Sequence, residues 1–211
     1  LKTMKTIFTL SLCLLSLLSF GQTLQERLTN GETPKELVNT GTPIDSLYGL
    51  TYGGGMIFHF DSAQRKGYVV TLEDLHYRND KADIEIQWSC NGRKTGATGT
   101  KIGTGKANTK KILDARCPLY EPDKGWLLPA AELCHIYNGG GYTDWFLPSK
   151  DELAAIYLNL KDTKHHDFHN HMYWSSTEKN DGFAWIMYFI NGGQGYYIKY
   201  MGYYVRAIRE I

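Results

Sequence analysis

GYTDWFLPSKDELAAIYLNL, Gly141 to Leu160, reads as a turn, a short buried strand and a capped helix in immediate succession. Trp145, Phe146 and Leu147 form a compact apolar run. Pro148 stops it, because its ring removes a backbone donor and restricts the residue before it to extended conformations. Ser149 stands where a helix N-cap belongs, and Glu152 three residues later completes a capping box. Asp151 and Glu152 also place negative charge at the positive end of the helix dipole. Leu153, Ile156, Tyr157 and Leu160 follow at i, i+3, i+4 and i+7, one face of a helix. The element is scaffold and carries no chemistry of its own.

Working outward toward the carboxyl end, KDTKHHDFHNHMYW contains four of the seven histidines, His165, His166, His169 and His171. Imidazoles favour zinc, copper and nickel, but these spacings fit no helix-face site, so a solvated loop is expected. Residues 173–209 are β in character. Tyr173 to Glu178 reads as a strand running into a loop, and Phe183 to Ile190 as a second strand. Asn191-Gly192-Gly193 is a hairpin turn, and Tyr196–Tyr200 and Tyr203–Ile208 supply two more strands. This region holds seven tyrosines together with Trp174 and Trp185. Alternation sends about half of a strand's side chains inward. The remainder would offer flat apolar area and hydroxyls at low entropy cost, which suits sugars or protein epitopes.

Toward the amino end, Pro129 suits the start of a helix running to about Tyr137, closed by Gly139–Gly141. Glu121-Pro122-Asp123 resembles the calcium- and sugar-binding Glu-Pro-Asn of C-type lectins, but Asp replaces Asn, so a plain turn is expected. GTGKANT, residues 103–109, resembles a phosphate loop, yet Ala107 stands where Ser or Thr should follow the lysine. Asn108 or Thr109 is expected to cap a helix through Arg116. Residues 73–107 are loop-like, with Trp88 in the core. Met56, Phe58 and Phe60 alternate with Ile57, His59 and Asp61, and residues 56–72 read as a β-hairpin.

The chain has 211 residues and a net charge of +1. Lys2 and Lys5 precede an apolar run from Ile7 to Leu18, and small residues Ser19 and Gly21 stand at −3 and −1 to a cleavage point before Gln22. That is the layout of a signal peptide over residues 1–21, too short for a comfortable membrane span. Residues 22–52 are polar and read as a linker or loosely packed lead-in, with a weak helix over 24–38. Residues 53–211 form the domain. The balanced charge argues against a nucleic-acid partner. Cys90, Cys117 and Cys134 allow one disulfide and a free thiol, or none, and Cys134 on its predicted helix is a buried apolar residue.

The motif order GGGMIFHFD, GTGKANT, GGYTDWFLPSKDELAAIY, YWSSTE, AW and YYVRAIR resembles the Lcl C-terminal domain family, named after a collagen-like adhesin of Legionella. The likeness runs from about Gly53 to Arg209. It implies an α+β, C-type-lectin-like fold: twisted antiparallel strands with two or three short helices packed on them, related to formylglycine-generating sulfatase modifiers and Fibrobacter paralogous domains. It implies an exported or surface domain that binds ligands, which for the adhesin are sulfated glycans. The redox cysteine pair of the formylglycine enzymes is missing from the C-terminal part. Some relatives of this fold are variable proteins that diversify side chains on the strands after a YWSSTE-like scaffold. The comparable positions here are Ile186, Tyr188, Ile190, Gln194, Tyr196, Tyr197, Tyr200 and Tyr203, set between Trp185, Phe189, Gly192 and Val205-Arg206.

The resulting expectation is an exported, non-catalytic recognition or adhesion domain that binds an extracellular glycan or protein through those eight residues, with no cofactor and no metal. Arg206 and Arg209 are expected to be structural ion partners. One alternative is a structural subunit of a surface assembly. Another is a hydrolase or metal-dependent enzyme using Ser175 or Ser176, Asp167 and the histidines, but no Gly-x-Ser-x-Gly elbow is present.

Overall fold

The computed structural model describes residues 21–76, 85–117, 119–121, 125–161 and 168–211. Helices α1 (Leu24–Thr29) and α2 (Pro34–Asn39) lead into the first sheet strands, β1 (Thr51–Tyr52), β2 (Gly55–Asp61) and β3 (Lys66–Val70). Then come β4 (Ile86–Gln87), α3 (Gly105–Asp114), β5 (Leu119–Glu121), β6 (Gly125–Leu127), α4 (Ala130–Ile136) and α5 (Lys150–Ile156). The chain ends with β7 (Met172–Glu178), β8 (Phe183–Tyr188), β9 (Gln194–Ile198), β10 (Gly202–Tyr203) and β11 (Ile208–Glu210). The architecture is α+β, as expected: small antiparallel sheets with short helices packed against them.

Two sheets matter for the site. One runs β1-β2-β3-β11 and the other β7-β8-β9. Phe146 joins the free side of β11 through two backbone bonds with Ile208, of 2.8 and 2.9 Å. The expected short strand at 145–147 is thus the rung that closes the first sheet. Both faces of this sheet are covered. Met56, Phe58 and Val70 enter one apolar cluster, and Ile57 and Val69 enter the other. A strand buried on both sides loses the strict alternation expected of a half-exposed one, which is why Ile57 is as buried as its neighbours. The same division recurs at Tyr173 against Trp174 and at Met187 against Ile186.

Helix α5 begins as expected. Ser149 Oγ accepts from the Glu152 amide, and Glu152 Oε2 accepts from the Ser149 amide at 2.6 Å. Leu153, Ile156 and Leu160 are buried, and the helix widens into one π-helical turn over Tyr157–Lys161. Glu152 also does something the sequence did not suggest. Its Oε1 accepts the Gly103 amide at 2.8 Å, at the start of α3. Thr104, the N-cap of α3, makes no side-chain cap bond. One carboxylate therefore serves the N-termini of two helices. A Cβ on Gly105 would stand 2.3 Å from Glu152 Oε2, so only glycine fits there.

This corrects the reading of residues 103–109. The helix starts at Gly105, and neither Asn108 nor Thr109 is its cap. Both are buried within it, where Asn108 bonds both backbone groups of Gly99 and Thr109 Oγ1 accepts the Leu147 amide. The phosphate-loop likeness also ends here, because the position an anion would take at the helix start already holds Glu152.

The lead-in is the other correction. Residues 22–52 are not a loose linker in this structure. Leu28, Leu37 and Leu47 are buried in the cluster with Ile57, Trp88 and Trp174. Two capping boxes, Thr23 with Glu26 and Thr33 with Glu36, split the expected single weak helix into α1 and α2.

Cys90 and Cys117 form a disulfide, and Cys134 is a buried free thiol whose pKa burial pushes well up. The bridge spans 27 residues, and closing a loop of that length stabilises a fold by roughly 3.5 kcal/mol. Urea unfolding with and without dithiothreitol should show a loss of that order, with Cys134 unreactive until unfolding.

Candidate functional site

The site region is the β8–β9 hairpin. Its turn, Asn191-Gly192-Gly193, places Gly192 at φ 73°, a left-handed conformation that glycine adopts without a Cβ penalty. Register sets the faces. Trp185 lies opposite Tyr196, Ala184 opposite Tyr197, and Ile186 opposite Gly195. Opposite residues share a face and neighbours in sequence do not. Tyr196 and Tyr197 therefore point to opposite sides of the hairpin, and the single aromatic surface expected from the sequence is two patches.

The first patch is Phe183, Trp185 and Tyr196. The Tyr196 ring meets Trp185 edge-on at 5.6 Å and Phe183 edge-on at 5.8 Å. Lys150 Nζ sits 4.4 Å from the Trp185 ring, and Lys179 Nζ lies 5.6 Å from Trp185 and 5.5 Å from Tyr196. Ammonium groups at such distances are attracted to the ring faces. Lys150 opens α5, so the capped helix delivers this cation to the hairpin.

The second patch is Tyr188 and Tyr197, seated on the buried Tyr203. Tyr197 packs edge-on against Tyr203 at 5.4 Å. Burial pushes the Tyr203 hydroxyl up to about 12, with the neighbouring Tyr197 adding to it.

The eight expected residues divide accordingly. Tyr196 (50% exposed), Tyr197, Tyr200 (53%), Gln194 and Ile190 (66%) are open to solvent, and Tyr188 is half-buried. Ile186 (1%) and Tyr203 (4%) are core residues. Ile186 points inward because the β7–β8 ladder pairs it with Trp174, and Tyr203 packs edge-on against the same indole at 4.9 Å. Neither can contribute an exposed side chain. Trp185, Lys150 and Lys179, read as framework or not singled out, complete the first patch. The signal for Trp185 was its position two residues from Phe183 on the same strand face.

The serines of YWSSTE continue in strand rather than entering a loop. Ser175 Oγ donates to the Trp185 carbonyl at 2.8 Å, and Ser176 Oγ accepts from Asn108 at 3.3 Å. Both are buried. Glu178 accepts from the amides of Thr95 and Gly96 and pairs with Lys199 at 2.7 Å.

Elsewhere in the core, Asp74 is buried and gathers Arg206 Nε, the Tyr173 hydroxyl at 3.1 Å and His169 Nδ1 at 2.7 Å. The rings of His169 and His171 flank Tyr204 at 4.8 and 4.7 Å. Arg209 pairs with Asp144 at 2.7 Å. Both arginines are ion partners, as expected. His165, His166, Asp167, Pro122 and Asp123 lie outside the described residues. Among the described residues no group of three or more His, Cys, Asp or Glu is placed to hold a metal ion. No helix among them is long and apolar enough to cross a membrane.

The segments that shape this hairpin are those that carried the family resemblance, and a family model, the Lcl C-terminal domain, matches residues 80–209, more than half of the chain. The chain belongs to that family. No curated protein matches it. Membership in the Lcl C-terminal domain family marks an adhesin-like domain. The matched segment contains the whole β8–β9 hairpin, α5 and both lysines of the first patch. It leaves out α1, α2, β2 and β3, yet β11 inside it pairs with β3 outside it. The folded unit is therefore larger than the Lcl C-terminal segment alone.

Proposed function

We infer that this is an exported, non-catalytic recognition domain that grips an extracellular glycan or protein surface on the β8–β9 hairpin. The observation that carries the reading is the concentration of exposed large apolar side chains there. Ile190, Tyr196, Tyr197, Tyr200 and Met201 stand out within a dozen residues, on β9 and the turns that flank it. Flat rings with hydroxyl tips bind polyols and protein backbones at small entropic cost. Lys150 and Lys179 lean on the first patch and would add ammonium donors to a bound hydroxyl or carboxyl. The burial of Ser175 and Ser176, each committed to a hydrogen bond inside the protein, supports a non-catalytic role.

Replacing Tyr196, Tyr197 and Tyr200 together by Ala should abolish binding on a glycan or cell-surface array. The ring contacts of Tyr196 and Tyr197 contribute roughly 0.5–1.5 kcal/mol each, so the variant should melt a few degrees lower yet stay folded at the temperature of the binding assay. Unaltered binding by the triple variant would sink the assignment.

A further inference from the structure

We propose that the chain associates with a second copy of itself through β9, forming an antiparallel strand pair centred on Tyr196. The sheet runs β7-β8-β9, and its two edges are treated differently. On the β7 edge the amides of Trp174, Ser176 and Glu178 donate to the carbonyls of Tyr204, Pro148 and Ala97 at 2.7 to 3.0 Å. Those contacts cover the edge along its length. On the β9 edge the register shows which groups face out. Tyr188 donates to Gly193, and Lys199 donates to Gly182, so Gly193 and Lys199 face β8. By alternation Gly195 and Tyr197 also face β8, and Gln194, Tyr196 and Ile198 present their backbone groups outward. Of these, only the Ile198 carbonyl has a backbone partner beyond β8, the Met201 amide, among the described residues.

Exposed edges are normally blunted by lysine, proline, a bulge or an overlying segment. QGYYI carries no charge and no proline, and its pairing with β8 has no register shift. The strand is also complementary to itself. With a two-fold axis at Tyr196, the two Tyr196 residues exchange both backbone bonds, and Gln194 faces Ile198 of the other copy. Gly195 then lies opposite Tyr197 of the other copy in the closer, non-bonded pair. The ring of that Tyr197 would lie beside Tyr188, which already covers Gly195: a Cβ there would stand 3.1 Å from Tyr188 Cε2. The near-neutral chain, at +1, offers little repulsion between copies. The pair would place two Trp185–Tyr196 patches side by side on one six-stranded sheet. The proposal needs no ligand and stands apart from the recognition reading.

The test is the molar mass of the full chain by sedimentation equilibrium up to about 200 µM, together with two variants. The native chain should be a dimer. Tyr196→Pro removes an outward amide and none of the backbone bonds to β8, and the ring it also loses is half-exposed, so it should keep its fold and raise the dissociation constant roughly tenfold or more. Tyr196→Cys should cross-link to its own copy under mild oxidation, because the paired Cα atoms would lie about 5.5 Å apart. Tyr200→Cys, outside the strand, should cross-link far more slowly. A native monomer across the whole range, a Tyr196→Pro dimer as tight as native, or equal cross-linking at 196 and 200 would each overturn the proposal.

Discussion

Lys199→Met is expected to cost about 4 kcal/mol of folding stability, a large share of what a domain of this size holds. Lys199 is fully buried, and its Nζ bonds Glu178 Oε1 at 2.7 Å and the Arg93 carbonyl at 3.0 Å above the Trp88 ring. Methionine keeps the volume and removes the charge. What remains is a buried carboxylate held only by the amides of Thr95 and Gly96 and the Thr95 hydroxyl. The size of the loss comes from that stranded charge more than from the lost bond.

The pH dependence carries a sign. Burial pushes the Glu178 carboxyl up, but the Lys199 ammonium and the two amides together hold it below its ordinary 4.5. Its stabilisation is thus present above the unfolded value and lost as pH falls through the folded one. Without Lys199 the carboxyl takes up a proton more readily, so the deficit of the variant should shrink on acidification. Urea midpoints of both proteins between neutral pH and pH 3 measure this. Lys150→Met, on the exposed patch, is the control and should be within about 0.5 kcal/mol of native. A Lys199→Met protein as stable as native at neutral pH would show that the pair contributes nothing net.

Glu152→Ala is the second large effect, again about 4 kcal/mol, because it strands the amides of Ser149 and Gly103 and leaves a void between two helix starts. Here the linkage runs the other way. Burial raises the Glu152 carboxyl above its ordinary 4.5, and the amides of Ser149, Gly103 and Gly105 only partly offset it. A raised carboxyl stabilises most at low pH, and that part is lost as pH rises through the folded value. Glu152→Gln should recover part of the loss, since one oxygen still accepts while the amide nitrogen opposes a donor. Hydrogen exchange at the first turns of α3 and α5 should quicken together in Glu152→Ala. Protection lost at α5 alone would show that α3 does not depend on this carboxylate.

Local rules took the sequence a long way. The Pro148–Ser149–Glu152 box, the β2–β3 hairpin, the strand–turn–strand at 183–198 and the burial of Trp88 all follow from spacing and turn chemistry. The same capping rule, applied at Thr23 with Glu26 and Thr33 with Glu36, would have shown that the polar lead-in is helical. Its three leucines would then have read as core. Ile186 and Tyr203 were misplaced because period-2 alternation separates two faces without saying which one the interior takes. That choice is made by Trp174, which reaches both. Pairs such as Asp74 with Arg206, or Glu152 with Gly103, leave no trace in a single sequence. Their partners are brought together only by the finished topology.

The closing of β11 between β3 and Phe146 has a consequence for how the chain acquires its shape during synthesis. Ile208 leaves the ribosome long after Val70, its partner across the ladder, so the first sheet waits for its last strand. Until then the Met56–Phe58 and Val69–Val70 ridges lack a lid. A nascent chain of this family member therefore depends on whatever keeps such ridges from meeting one another before β11 emerges.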